Sequence, residues 1–180
     1  MTYLTLKRNG KRAYLSTILD LETRDWVAYK IGHRNDNELV MDTLREAIKM
    51  SKEKDLNGLV LHSDQGFQYL STEYKVICES NGIIISHSRK GNPLDNAVIE
   101  SFHSILKKET LYNNDITSLK DYVQLVHEWM IYYNTYRPKS QKSRIAFFKH
   151  STFWGSVHYS TFFIFIIKNI AIKDMKIINI

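Results

Sequence analysis

The sequence predicts an α/β fold, a mixed sheet covered by helices, and three observations carry that prediction. Strand-like runs rich in Tyr, Leu, Ile, Val and Thr open the chain and meet at a tight turn, as antiparallel strands do. Two later apolar runs are set apart by helix-period segments, as parallel strands with crossovers are. The 180 residues, 43% of them hydrophobic, suffice for one well-packed domain and a short appendage.

The opening strands are Tyr3 to Leu6, Ala13 to Leu21 and Trp26 to Ile31, with the turn Lys7-Arg8-Asn9-Gly10 between the first two. Asn35 or Asp36 caps a helix whose apolar positions Val40, Leu44, Ala47 and Ile48 recur at helical spacing. Lys49, Lys52 and Lys54 suit the negative end of its dipole. Leu59-Val60-Leu61 reads as a buried strand, Ser71 to Ser80 as a helix stopped by Asn81-Gly82, and Ile83-Ile84-Ile85 as a last buried strand. Ser86 to Leu94 is polar, holds Gly91 and Pro93, and reads as an exposed loop. Asp95 then caps a helix running to about Leu111, and Ser118 opens another that ends near Arg137-Pro138.

Lys and Arg outnumber Asp and Glu by 25 to 19, a formal charge of +6 that suits a polyanion such as nucleic acid as partner. The single cysteine, Cys78, excludes an internal disulfide framework and argues against a cysteine zinc site, which fits a reducing, cytoplasmic setting. Met1 to Lys11 lacks the apolar core of a secretory signal. The most hydrophobic stretch, Phe162 to Ile167, is far shorter than the roughly 20 residues of a membrane span, so no membrane association is expected.

Two carboxylates stand where chemistry is plausible. In Leu61-His62-Ser63-Asp64-Gln65-Gly66, Asp64 falls where a buried strand gives way to a glycine loop, so its side chain reaches above the sheet edge. Glu100 lies 35 intervening residues later on the first turns of a helix. On a helical wheel Val98, Ile99, Phe102, Ile105 and Leu106 form one stripe, while Asn96, Glu100, His103 and Lys107 line the other side. Either acid alone also suits a plainer role: a turn-stabilising aspartate, a solvated helix face.

The surrounding residues decide between these roles. The passages HSDQGFQY, SHSRKGNPLDNAVIESFHSILKKE and YYNTYRP resemble the integrase-core transposases encoded by bacterial insertion sequences, whose fold is ribonuclease H-like. The resemblance covers residues 1 to about 142 and leaves 143–180, with Asp174 as its only acid, as an unrelated or irregular tail. It implies a triad of Asp, Asp and Glu that binds two divalent ions, Mg²⁺ or Mn²⁺, with Asp64 as the second aspartate and Glu100 as the glutamate. Hard oxygen ligands suit such ions, which activate an attacking oxygen and stabilise a leaving one.

In the family the first aspartate stands on the first strand in a Thr-Asp-x-Thr-Tyr pattern. Thr2-Tyr3 matches the end of that pattern, so the aspartate falls one position before Met1 and the core is expected to be truncated. A hairpin folded about Asn9 sets the vacant position opposite residue 18 or 19, with Asp20 a strand away; Asp20 with Arg24 is more simply a strand-end pair. The resemblance implies DNA transposition by strand cleavage and strand transfer, impaired in this chain. The alternative is an inactive remnant that binds DNA or interferes with full-length transposase. A ribonuclease H acting on hybrids is a third reading, against which the motifs from Gly91 to Glu100 speak.

The partners implied are DNA, as transposon ends and target, and further copies in a homo-oligomer. Arg89, Lys90, Lys107 and Lys108 flank the Glu100 helix where phosphates would pass, and Asn96 matches a family position suited to orienting the glutamate or a phosphate. An ordinary solvated charge cluster is the plainer account of these cations. His62 and His103 are expected as hydrogen-bonding or surface residues, because imidazole suits magnesium poorly.

Overall fold

The computed structural model describes residues 1–6, 10–51, 55–89, 93–112, 114, 116–138 and 177–179. Met1–Tyr136 and Lys176–Ile180 form one compact unit; of the second, Arg137–Met175, only residues 137–138 are among those described.

Strands β1 (Thr2–Thr5), β2 (Arg12–Asp20) and β3 (Trp26–Gly32) form an antiparallel meander, as expected. Helix α1 (Asn37–Met50) leads to β4 (Val60–Ser63), and α2 (Thr72–Ser80) to β5 (Ile84–His87), which pairs with β4 in parallel. Helices α3 (Ala97–Lys107) and α4 (Leu119–Thr135) follow. A final strand, β6 (Ile177–Asn179), lies between β2, to which it is antiparallel, and β4, to which it is parallel. The sequence pattern predicts no strand there. The six strands make one mixed sheet, ordered β1-β2-β6-β4-β5, with β3 also on β2.

Side-chain caps explain where the helices begin. The side chains of Asp36, Ser71 and Ser118 accept from the backbone N–H of Leu39, Tyr74 and Asp121, three residues on in each case. Helix α2 stops where Gly82 takes a φ of +69°, and a Cβ there would come within 2.8 Å of the Asn57 side chain. Asp95 does not cap α3: a 3₁₀ turn, Pro93–Asn96, precedes the helix, Asn96 holds the cap position without a capping bond, and the Asp95 carboxylate instead accepts from the Arg89 backbone N–H at 3.0 Å. A π turn, Lys108–Tyr112, closes α3, with the Thr110 hydroxyl donating to the Leu106 carbonyl at 2.7 Å.

The pleat divides the core in two. Alternate β2 residues Ala13, Leu15 and Leu19 pack with Leu4, Phe102, Leu106, Val126 and Trp129, so α3 and α4 cover one face. Ile18 points the other way, into Met41, Leu44, Leu61, Tyr74 and Cys78, under α1 and α2. Phe102 is at the centre of the first cluster, its ring 4.8 Å from that of Tyr133 and 5.6 Å from that of Trp129. Asp64 therefore leaves a strand that packs with the α1–α2 face, and Glu100 rides the helix that covers the other.

Candidate functional site

Asp64 follows directly on β4, and its carboxylate accepts from the Gly66 N–H at 2.8 Å. A Cβ at 66 would stand 2.9 Å from the Asp64 carboxylate and 3.1 Å from Gln68 Oε1, so a side chain there would push these two groups aside. The carboxylate is thus held over its own loop yet exposed. Glu100 lies in the first turn of α3, exposed, while Ile99 and Phe102 beside it are buried. Both acids therefore reach solvent from rigid elements, as the sequence predicts.

What joins the two elements is Ser88, a residue the sequence reading leaves in an exposed loop. Strand β5 runs on to His87, and Ser88 is buried. Its backbone N–H donates to the Ser63 carbonyl at 2.9 Å, one residue before Asp64, and its hydroxyl accepts from Asn96 Nδ2 at 2.9 Å, at the start of α3. Gln65 Nε2 donates to the Ser88 carbonyl at 3.0 Å, binding the Asp64 loop to the same point. No periodicity marks such a residue, because its bonds are fixed by two elements meeting in space.

The Met1 α-amino group donates to the Tyr69 hydroxyl at 3.3 Å. Burial lowers its pKa, against the opposing pull of the Asp64 charge. Burial, then Asp64, raises that of the Tyr69 phenol. The β1–β2 register runs Thr2 opposite Leu15 to Thr5 opposite Arg12, which sets the position before Met1 opposite Thr17 and not opposite 18 or 19. Asp20 is buried and its carboxylate accepts from the N–H of Glu22 and Thr23 at 2.8 and 3.2 Å, stabilising the turn to β3.

Two of the predicted cations, Arg89 and Lys107, have partners. Arg89 pairs with Asp95, its Nη2 3.4 Å from Oδ1. Partial desolvation opposes the shift, but Arg89's hydrogen bonds and charge prevail and hold the Asp95 carboxyl below its ordinary range. Lys107 Nζ sits 4.6 Å from the centre of the Tyr3 ring, and burial lowers its pKa. Lys108 is exposed, and Lys90 lies outside the described residues. Asn96 is tied to Ser88, and its Oδ1 is buried without a hydrogen-bond partner.

Both histidines differ from ordinary surface imidazoles. His62 shares a hydrogen bond through Nδ1 with the Ser86 hydroxyl at 2.9 Å, and burial lowers its pKa. His103, expected on the outer side of α3, is buried edge-on to Phe102, and its Nε2 has no hydrogen-bond partner. The wheel gives a radial direction but not what closes over it; the Met1 amine and Lys107 are near enough to lower the His103 pKa further, after burial.

The donors do not complete a metal centre. Among the described residues no group of three or more His, Cys, Asp and Glu side chains is placed to hold an ion. Asp64 and Glu100 are hard oxygen donors of the right kind, but two carboxylates fall short of the ligand set that a pair of divalent ions needs. The residues present do not fit a two-ion site by themselves.

Comparison with known proteins bears on the same residues. A family model described as Integrase core domain matches residues 1–93, and a second of the same description matches residues 81–143. The chain is 39% identical over 129 residues to InsK for insertion sequence element IS150 of Escherichia coli (strain K12), covering 72% of this chain and 45% of InsK. It is 36% identical over 141 residues to the transposase for insertion sequence element IS904 of Lactococcus lactis subsp. lactis (strain IL1403), covering 78% and 54% respectively. The chain thus spans about half the length of the curated relatives it matches. Among solved structures, the simian T-cell lymphotropic virus intasome in complex with PP2A regulatory subunit B56 gamma superposes with a TM-score of 0.62 at 17% identity, over 78% of this chain and 48% of that one. The HTLV-2 integrase catalytic core domain in complex with magnesium, in its trimeric form, superposes with a TM-score of 0.59 at 14% identity, over 78% and 85%. These two similarities establish the ribonuclease H-like α/β fold.

Proposed function

Because the chain belongs to the integrase core domain family, we propose that it serves DNA transposition, as the core that cleaves a DNA strand and transfers it to a target. Both steps are in-line phosphoryl transfers, the first with water as nucleophile and the second with a freed 3′ hydroxyl. The observation that carries this reading is the tie through Ser88, which links the strand before Asp64 to the start of the Glu100 helix. The reading takes these two exposed carboxylates, carried on elements fastened to each other, as ligands of one site, since phosphoryl transfer requires its ligands to be held firmly.

The cofactor this reading names is Mg²⁺ or Mn²⁺, as a pair of ions in the intact site, with Asp64 and Glu100 among the ligands. A further carboxylate must complete the set, and the described residues do not bring one. Asn96 orients the start of the Glu100 helix. Arg89, Lys107 and Lys108, with Lys90 beyond the described residues, neutralise phosphates and set the DNA's path without reading its sequence. The DNA partners proposed are element ends and target. The dimeric and trimeric forms of the HTLV-2 core support assembly of several copies. No helix among the described residues is long and apolar enough to cross a membrane, and a cytoplasmic location on DNA is the setting proposed.

A strand-transfer assay on labelled element-end DNA with Mg²⁺ or Mn²⁺ tests the proposal. Cation-dependent joining lost in Glu100→Gln is the expected result. Joining that persists in Glu100→Gln would overturn the assignment. DNA binding without any joining would instead leave the chain as a binding protein that interferes with full-length transposase.

A further inference from the structure

The middle of the sheet is assembled from two distant pieces of chain. Strand β1 lies along β2 opposite Arg12 to Leu15, and β6 lies along the same edge opposite Leu19 and Asp20. Both run antiparallel to β2, so they are collinear and point the same way. In β1's register the position opposite Leu19 falls four residues ahead of Thr2, and Asn179 stands there. Continued by one residue, β1's register sets Met1 opposite Ser16, so among the described residues only the positions opposite Thr17 and Ile18 lie between the two pieces. The Ser16 and Thr17 hydroxyls are buried without hydrogen-bond partners.

This edge cannot be left open cheaply. Leu19, Asp20, Val60 and Leu61 are all buried, and an unpaired backbone group at such a depth costs about as much as a lost hydrogen bond. Among the described strands, β6 alone pairs with both β2 and β4, and so joins the antiparallel half of the sheet to the parallel half. The antiparallel half packs with α3, which carries Glu100; β4 leads into Asp64.

We propose that the seam between β2 and β4 is a strand-acceptor site, occupied in this chain by its own segment Ile177–Asn179. The seated strand is a positioning element: it fixes the β4 half against the α3 half and so sets the spacing of Asp64 and Glu100. That last consequence rests on the reading of these two acids as one site; the occupancy of the seam does not. Backbone pairing drives the docking, as in other cases of strand addition to a sheet edge, so a short segment with few polar side chains is adequate.

Amide hydrogen exchange on the full chain, read by peptide mass, tests the occupancy directly. Ile178→Pro removes a ladder donor and should raise exchange about tenfold or more at Leu19 and in Val60–His62, while Arg12–Leu15 opposite β1 and Asp20, whose N–H donates to the Asp25 carbonyl, change little. If the substitution unfolds the whole unit, a peptide of residues 171–180 added to a chain lacking residues 176–180 should restore protection at the seam. Unchanged exchange at the seam in Ile178→Pro, or no restoration by the peptide, would overturn the proposal. Failure of strand transfer with the seam protected would instead count against the reading of the carboxylates.

Discussion

Replacing Ser88 by alanine probes the joint on which the candidate site depends. The hydroxyl accepts from Asn96 Nδ2 at 2.9 Å and points to the Ser63 carbonyl at 3.4 Å, a separation too long to count for much. Losing a partly buried hydrogen bond costs about 1 kcal/mol, and stranding the Asn96 amide adds about another, since its Oδ1 is already buried and unpaired. The expected loss is therefore about 2 kcal/mol, read as a shift in urea midpoint at constant m-value. Ser80→Ala is the control: its hydroxyl donates to the Ile77 carbonyl at an exposed helix end, where about 0.5 kcal/mol or less is at stake. Combining Ser88→Ala with Asn96→Ala should cost less than the sum of the two, with a coupling of about 1 kcal/mol. Strict additivity, or a Ser88→Ala chain as stable as the parent, would refute the idea that this pair fastens α3 to β4.

Phe102→Ala should cost about 3 to 5 kcal/mol by thermal or urea unfolding, because the ring is buried against Trp129 and Tyr133 in the larger core cluster. Glu100→Gln should leave stability within about 0.5 kcal/mol, since the side chain is exposed, while removing strand transfer; a large loss of stability would show a structural acid instead. His103 is neutral when folded because burial depresses its pKa well below 6.5, so below that pH the unfolded chain binds the extra proton. Stability should then be flat with respect to this group above pH 6.5 and fall as the pH drops beneath it, by up to about 1.4 kcal/mol per unit. A His103→Leu chain with an unchanged pH profile of unfolding would sink that assignment.

The elements that the sequence revealed are those whose cause is local. Asp36, Ser71 and Ser118 cap helices through bonds spanning three residues, and each is visible as a polar side chain ahead of an apolar period. Asp64 and Glu100 were legible as a motif at fixed spacing. What escaped depends on partners distant in the chain. Asp95 looks like a cap until Arg89 takes its carboxylate; Ser88 looks like loop until Asn96 and Ser63 close on it. The β1–β2 register was misplaced because a turn read as folding about Asn9 shifts every pair by one or more, and in a sheet each single step also exchanges the faces. Strand β6 pairs with residues more than 100 positions away, and three residues carry no period of their own.

The cations around Glu100 are better suited to receiving a phosphate than their present partners suggest. Arg89 and Asp95 form a pair at 3.4 Å with the arginine side chain half exposed, and an ion pair in such surroundings contributes at most about 1 kcal/mol. If the proposed function holds, a DNA phosphate, which Arg can grip with two parallel bonds, would displace Asp95 at little cost. Lys107 lies seven residues beyond Glu100, two turns along the same helix face and about 10 Å away along the axis, and Lys108 opens the π turn that follows. Lys107 would exchange one weak partner, the Tyr3 ring, for a stronger one. Arg89 precedes α3 and Lys107 lies near its far end, so under the proposed function a strand lying along α3 would have its phosphates neutralised on both sides of Glu100 and not on top of it. Such a basic surface would hold the polyanion without quenching the acid on which strand cleavage would depend.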